Sequence, residues 1–157
     1  MSYNYEGFNE RARKRREMIA DAKCIADLQV QYDRVGFEYM QRLSRHPDFA
    51  DDFKKIIERQ IKFDADFEAG EKDADILLEI ESVNTALRER IVADGSLLHL
   101  LAQQTELTDK MQDALDWGVE MQGYDRNAFR RLIEEHYDAP RRFDLYTCHG
   151  FVFEALD

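Results

Sequence analysis

The sequence predicts an all-α fold, a single-domain bundle of five to six helices organised around a long N-terminal helix. Three observations carry that expectation. Prolines and glycines are scarce, two and seven in 157 residues. The strict apolar–polar alternation of strands is hard to find, and apolar residues recur instead at steps of three and four. With 44% hydrophobic residues, including ten Phe, seven Tyr and one Trp, the chain has the material for a buried core. One domain over residues 1–157 is expected, with residues 1–17 as a basic and aromatic arm leading into the first helix.

The first helix is read from Met18, Ala22, Ile25, Gln29, Tyr32, Gly36, Tyr39 and Leu43, which place one seam along some seven turns. Ile19, Ala26, Val30, Val35, Phe37 and Met40 widen that seam, as suits a helix with neighbours on more than one side. Gln29 reads as a polar seam residue and Gly36 as a close-packing point. Upstream, Tyr3, Tyr5 and Phe8 precede any clear periodicity and read as an arm that docks on the core or on a partner.

Residues 44–48 close this helix. Pro47 disfavours helical geometry at His46, and Asp48 is placed to accept the free N–H groups of the next helix. Phe49, Phe53, Ile56, Gln60, Phe63 and Phe67 then repeat the spacing, with Ile57 and Ile61 beside them, in a second helix expected to pack antiparallel on the first. Gly70 marks a break. The third helix carries Ile76, Ile80, Val83, Leu87 and Ile91, with Leu77 alongside, and stops at Asp94 and Gly95.

Ser96 reads as the cap of a fourth helix that opens with Leu97, Leu98, Leu100 and Leu101 around His99. So dense an apolar run is either buried or a candidate interface. Met111, Leu115 and Val119 continue the pattern next to Trp117, while residues 105–108 leave one bent helix or two open. Gly123, Tyr124 and Asp125 read as a stop followed by a new N-cap, with Phe129, Leu132, Ile133 and His136 on one face of a short fifth helix that Pro140 breaks. The tail, 143–157, is apolar enough to need burial. Leu145, Cys148, His149, Val152 and Leu156 have helical spacing there, and Gly150 leaves a short extended segment open.

Charge is unevenly spread. Arg11, Arg13, Lys14, Arg15 and Arg16 put five cations in six positions, so residues 1–16 net +3 and leave −14 on the remainder of a chain whose total is −11. Such a split lets the N-terminal arm meet phosphate or an acidic surface, while the body repels both. Five clustered cations have a salt-dependent attraction for a nucleic acid backbone, without base recognition. Between residues 64 and 81 stand Asp64, Asp66, Glu68, Glu71, Asp73, Asp75, Glu79 and Glu81 against Lys72 alone. That corner reads as a solubilising surface or as a negative patch, centred on Asp64 to Asp75, presented to a basic partner.

Little in the chain points to chemistry. There is no phosphate-cradling glycine loop, no zinc spacing, no Gly-x-Ser-x-Gly elbow, no helix-loop-helix calcium spacing and no Glu-x-x-His pair. No catalytic residue, metal ligand or cofactor is assigned. Cys24 and Cys148 read as buried thiols, and His99 and His149 as satisfied core histidines. No apolar run approaches the ~20 residues that span a bilayer, and the first residues lack the apolar core of a signal peptide. A cytoplasmic protein is expected, or one within a virion or host cell if phage-encoded.

The run from Gly123 to Ile133, followed by Asp144, Leu145 and Tyr146, resembles the C-terminal part of small GapR-type DNA-binding proteins. The likeness covers about a fifth of the chain. It would imply DNA contact, from which the surrounding acidity departs.

By elimination, the leading expectation is a non-catalytic interaction or assembly protein, acting in a larger complex or an oligomer. A second is an acidic inhibitor that mimics nucleic acid and occupies the basic groove of a DNA- or RNA-handling partner. A third is a nucleic-acid accessory protein using Arg11 to Arg16 with help from Arg130, Arg131, Arg141 and Arg142. A protein partner or self-association is expected, nucleic acid through the basic arm only, and no membrane.

Overall fold

The computed structural model describes residues 5–70 and 74–138. They form α1 (Tyr5–Arg45), α2 (Ala50–Glu68), α3 (Ala74–Asp94), α4 (Leu98–Asp116), a π-helical turn (Trp117–Met121) and α5 (Arg126–His136), with no strand among them. The all-α bundle with a long first helix is thus what the chain adopts. Expectations that fall on Tyr3, Glu71, Asp73, Pro140, Arg141, Arg142 and the tail, with Cys148 and His149, lie outside the described residues.

Two compact units emerge, one built from residues 5–33 and 104–138 and the other from residues 34–70 and 74–103, so that α1 and α4 each contribute to both. In the first unit Ala22, Ile25, Tyr124 and Phe129 are buried, with Met18, Met111, Ala114, Leu115, Val119, Leu132 and Ile133 packed around them. Phe129 is wholly excluded from solvent. Burial of such a side chain contributes about 1.5–3 kcal/mol.

A glycine makes that burial geometrically feasible. A Cβ at Gly118 would meet Phe129 Cε1 at 2.6 Å and Tyr124 Cδ2 at 2.9 Å, so only a bare backbone lets the two rings lie on the π-helical turn. Tyr124 and Phe129 meet edge to face at 5.2 Å. The Tyr124 N–H donates to the Gly118 carbonyl at 3.0 Å. Gly123 supplies the left-handed residue that ends the turn, and Asp125 caps α5 by accepting from the Ala128 N–H. The stop and cap expected at these residues are therefore both present.

The second unit has a more aliphatic core: Leu43, Phe49, Phe53, Ile57, Leu87, Ile91, Leu97 and Leu100, with Val35, Tyr39, Met40, Ile56, Ile61 and Leu101 packed on it. Among the described helices, α2 and α3 run close together over the longest stretch. Arg59 pairs with Glu79 and Arg90 with Asp52, so the two run antiparallel. Helix α2 shares its core with α1, as the sequence pattern suggested, since Leu43, Tyr39 and Met40 lie in the same cluster as Phe53 and Ile57, and it pairs more extensively with α3. Gly95, in the left-handed region, ends α3 where expected.

Several local expectations change. The segment from Tyr5 is already helical, so the described part of the basic arm is the opening of α1. Asp48 does not cap α2; its backbone N–H donates to His46 Nδ1, and Phe49 stands at the N-cap without a side-chain cap bond. Ser96 does not cap α4 by accepting: its hydroxyl donates to the Asp94 carboxylate, as does its backbone N–H at 3.2 Å. One unbroken helix runs through residues 105–108, and Leu107 is buried there. Cys24 is exposed. It lies some 200° around α1 from Ala22, which faces the core, so its neighbours Ile25 and Ala26 are buried while it is not.

Candidate interaction surfaces

All five residues of the basic cluster, Arg11, Arg13, Lys14, Arg15 and Arg16, are exposed on α1. Arg13 pairs with Glu10 at 2.8 Å and approaches Glu17 at 3.8 Å. One turn further on, Glu17, Ala20 and Asp21 join Arg13, Lys14, Trp117, Gln122 and Tyr124 around a groove of about 450 Å³. Trp117 is half exposed. The Tyr124 hydroxyl donates to Asp21 at 2.7 Å, and its loss of water together with that carboxylate holds its pKa well above the usual phenol value. The sequence pattern did not single out Trp117 as a neighbour of the cations; only the π-helical turn, which needs Gly118 beneath Phe129, brings it there.

The acidic patch occupies the turn end of the α2–α3 hairpin. Asp64, Asp66 and Glu68 lie on the last turns of α2, and Asp75, Glu79 and Glu81 on the first turns of α3, while Glu71 and Asp73 lie outside the described residues. Gln60 donates to Asp64, and Arg59 pairs with Glu79 at 2.8 Å. The same end exposes apolar side chains: Phe67 at 57%, Leu77 at 42% and Leu78 at 63%. Phe67 had been assigned to the core by its spacing, yet it lies a full turn past Phe63, on which it stacks. Leu77 and Leu78 were legible in principle, because adjacent residues on a helix point about 100° apart and cannot both follow Ile80 inward.

The leucine run separates cleanly. Leu97 and Leu100 are buried in the second core and Leu101 packs on it, leaving Leu98 as the one outward residue of the four. The candidate apolar interface there is chiefly interior.

Three ligand-type side chains converge at the start of the second unit. His46, Asp48 and Asp94 offer atoms all within 4.8 Å of one another. Their hydrogen bonds decide what this cluster can do. His46 Nδ1 accepts from the Asp48 N–H at 3.1 Å, which leaves the proton of a neutral ring on Nε2, and Nε2 faces Asp94 Oδ2 at 3.6 Å. A metal on Nε2 would require that proton to move to Nδ1, against the Asp48 N–H. The arrangement is therefore a clasp of two hydrogen-bonded pairs, Asp48 with His46 and Ser96 with Asp94, whose imidazole and carboxylate face each other. The Ser96 hydroxyl holds the Asp94 carboxyl below its ordinary pKa, and His46 adds a smaller effect in the same direction. In this clasp the carboxylate stands between hydroxyl and imidazole. That is the reverse of the order a serine nucleophile needs, where imidazole must reach the hydroxyl.

The other described histidines are on the surface. His99 is exposed beside Arg42, whose Nη1 lies 3.5 Å from its Nε2, so it is not the core residue its apolar surroundings suggested. His136 is exposed at the end of α5. In the first unit a second groove, of about 400 Å³ and mainly apolar, runs between Ile25, Met111, Leu115 and Ile133. No described helix is long and apolar enough to cross a membrane. No family model, no curated protein and no solved structure matches the chain.

Proposed function

We propose that this chain is a non-catalytic interaction protein that works inside a larger complex or oligomer. The supporting observation is the turn end of the α2–α3 hairpin, where Phe67, Leu77 and Leu78 stand in water although the second unit already has its own buried core. Apolar side chains grouped at one end of an element and rimmed by charge mark contact surfaces, since leaving them wet forgoes the stabilisation that burial gives. The test is a mass determination by light scattering over a range of concentrations, joined to affinity capture from cells that make the protein. A mass above the 18.6 kDa of one chain, or a stoichiometric partner, is expected, and either is lost on Leu77→Glu with Leu78→Glu. A strict monomer that retains nothing would overturn the reading.

A second reading has one observation of its own. Two of the exposed cations of α1, Arg13 and Lys14, share a groove with a half-exposed Trp117, the pairing of phosphate contact and stacking ring that single-stranded nucleic acid binders use. Glu17 and Asp21 in the same groove oppose it. Binding of a single-stranded oligonucleotide that weakens steeply with salt and is lost on Trp117→Ala is the result this reading requires.

A further inference from the structure

We infer that the partner of the hairpin end is the basic opening of α1 on a second copy of this chain, so that the protein associates head to tail. The inference rests on the assembly reading above and gives it a specific occupant. Phe8, Arg11, Ala12 and Arg15 fall at helical spacings of three and four and so share one face of α1. Phe8 is 53% exposed, and Arg11 and Arg15 are exposed with it. Arg13, with its Glu10 and Glu17 partners, lies on the other side. The face is therefore an aromatic anchor flanked by cations.

The hairpin end is its counterpart. Phe67, Leu77 and Leu78 are exposed there among Asp66, Glu68 and Glu81, and residues 64–81 carry eight acidic side chains against Lys72. An aromatic residue flanked by guanidinium groups suits an apolar site rimmed by carboxylates, because the ring fills the apolar part while the rim pairs the charges. Charge also selects the geometry. Two copies of a chain with a net charge of −11 repel overall, and hairpin against hairpin or arm against arm sets like charges together. Only the unlike apposition is attractive, and it is heterologous, leaving one free surface of each kind on a pair.

The experiment uses the full chain in sedimentation velocity and light scattering, from about 0.05 to about 0.5 M salt, a range over which exposed charge pairs are progressively screened. An arm variant, Arg11→Glu with Arg15→Glu, and a hairpin variant, Leu77→Ser with Leu78→Ser, change only exposed residues; circular dichroism confirms that both stay helical. Wild type is expected above one chain mass at low salt and to shift towards monomer as salt rises. Each variant alone should self-associate at least about ten-fold more weakly. The decisive arm is an equimolar mixture of the two variants. It retains one intact arm and one intact hairpin, so it should form a 1:1 dimer and nothing larger.

Assembly of either variant to the wild-type extent overturns the inference, as does a mixture that stays monomeric. So does an arm variant that loses oligonucleotide binding while its oligomers are unchanged, which would assign the cations to nucleic acid. A wild type that is monomeric at low salt also overturns it, and the assembly reading falls with it only if the immobilised chain retains no stoichiometric protein partner either.

Discussion

In the first unit, the centre is built from residues with exacting geometric and polar demands: Phe129 seated on Gly118, Tyr124 edge-on to it with its hydroxyl on Asp21, and Tyr137 donating to Asp33. In the second, eight mostly aliphatic side chains fill the core, ion pairs flank it, and apolar side chains remain outside at the hairpin end. Shape and hydrogen bonding specify one structure in the first case. In the second, greasy bulk suffices, and bulk is forgiving about how much stays in water. A protein that must hold a fold and also offer an adhesive surface can place these demands in different units.

The sharpest way to break that contrast is to hollow each core. Phe129→Ala is expected to destabilise by about 3–5 kcal/mol, and Ile91→Ala, 2% exposed in the second core, by about 2–5 kcal/mol. Urea midpoints measure both, and a Phe129→Ala variant as stable as wild type would show that the first unit is not held by its ring. Next comes Gly118→Ala, which adds one methyl where Phe129 has no room to retreat. A cost of about 1–3 kcal/mol is expected, whereas methyl addition at a surface glycine of ordinary φ usually helps.

A smaller effect belongs to Tyr124→Phe, about 1 kcal/mol at neutral pH by thermal denaturation, because Asp21 is only half-buried and regains water. Its pH signature is more specific. The folded-state pKa of Tyr124 is raised above the unfolded value of about 10, so its contribution is complete below that pH and is lost as pH rises towards the folded value. Wild type should therefore weaken in alkali more than the Phe variant. The smallest effect is at Leu78: Leu78→Ser should change stability by less than about 0.5 kcal/mol, as expected of a residue that is 63% exposed and serves no core.

Helix number, the seam of α1, the end of α3 and the Gly123–Asp125 stop and cap were legible because each follows from local backbone rules that need no tertiary partner. The errors share the opposite cause. Ser96 and Asp48 have cap chemistry, but Asp94 and His46 compete for their hydrogen bonds. Phe67 continues an apolar period beyond the point at which α3 covers it. Spacing reveals which residues share a face and is silent on where the facing helix ends. Of the candidate surfaces, the two charge clusters were visible as composition. The aromatic residues beside them, Trp117 and Phe67, were not, because their exposure depends on a π-helical turn and a hairpin end.

The way the units divide the chain also bears on biosynthesis. The described core of the second unit lies between Leu43 and Leu100, whereas that of the first joins Ala22 and Ile25 to Tyr124 and Phe129, some hundred positions away. A ribosome delivering the polypeptide from its amino end would release the whole stretch from Leu43 to Leu100 while the leading half of α1 still awaits the segment that covers it. Through that interval Met18 and Ile25 would be without their mates, making the nascent chain most vulnerable to chaperone capture or mispairing before Phe129 emerges.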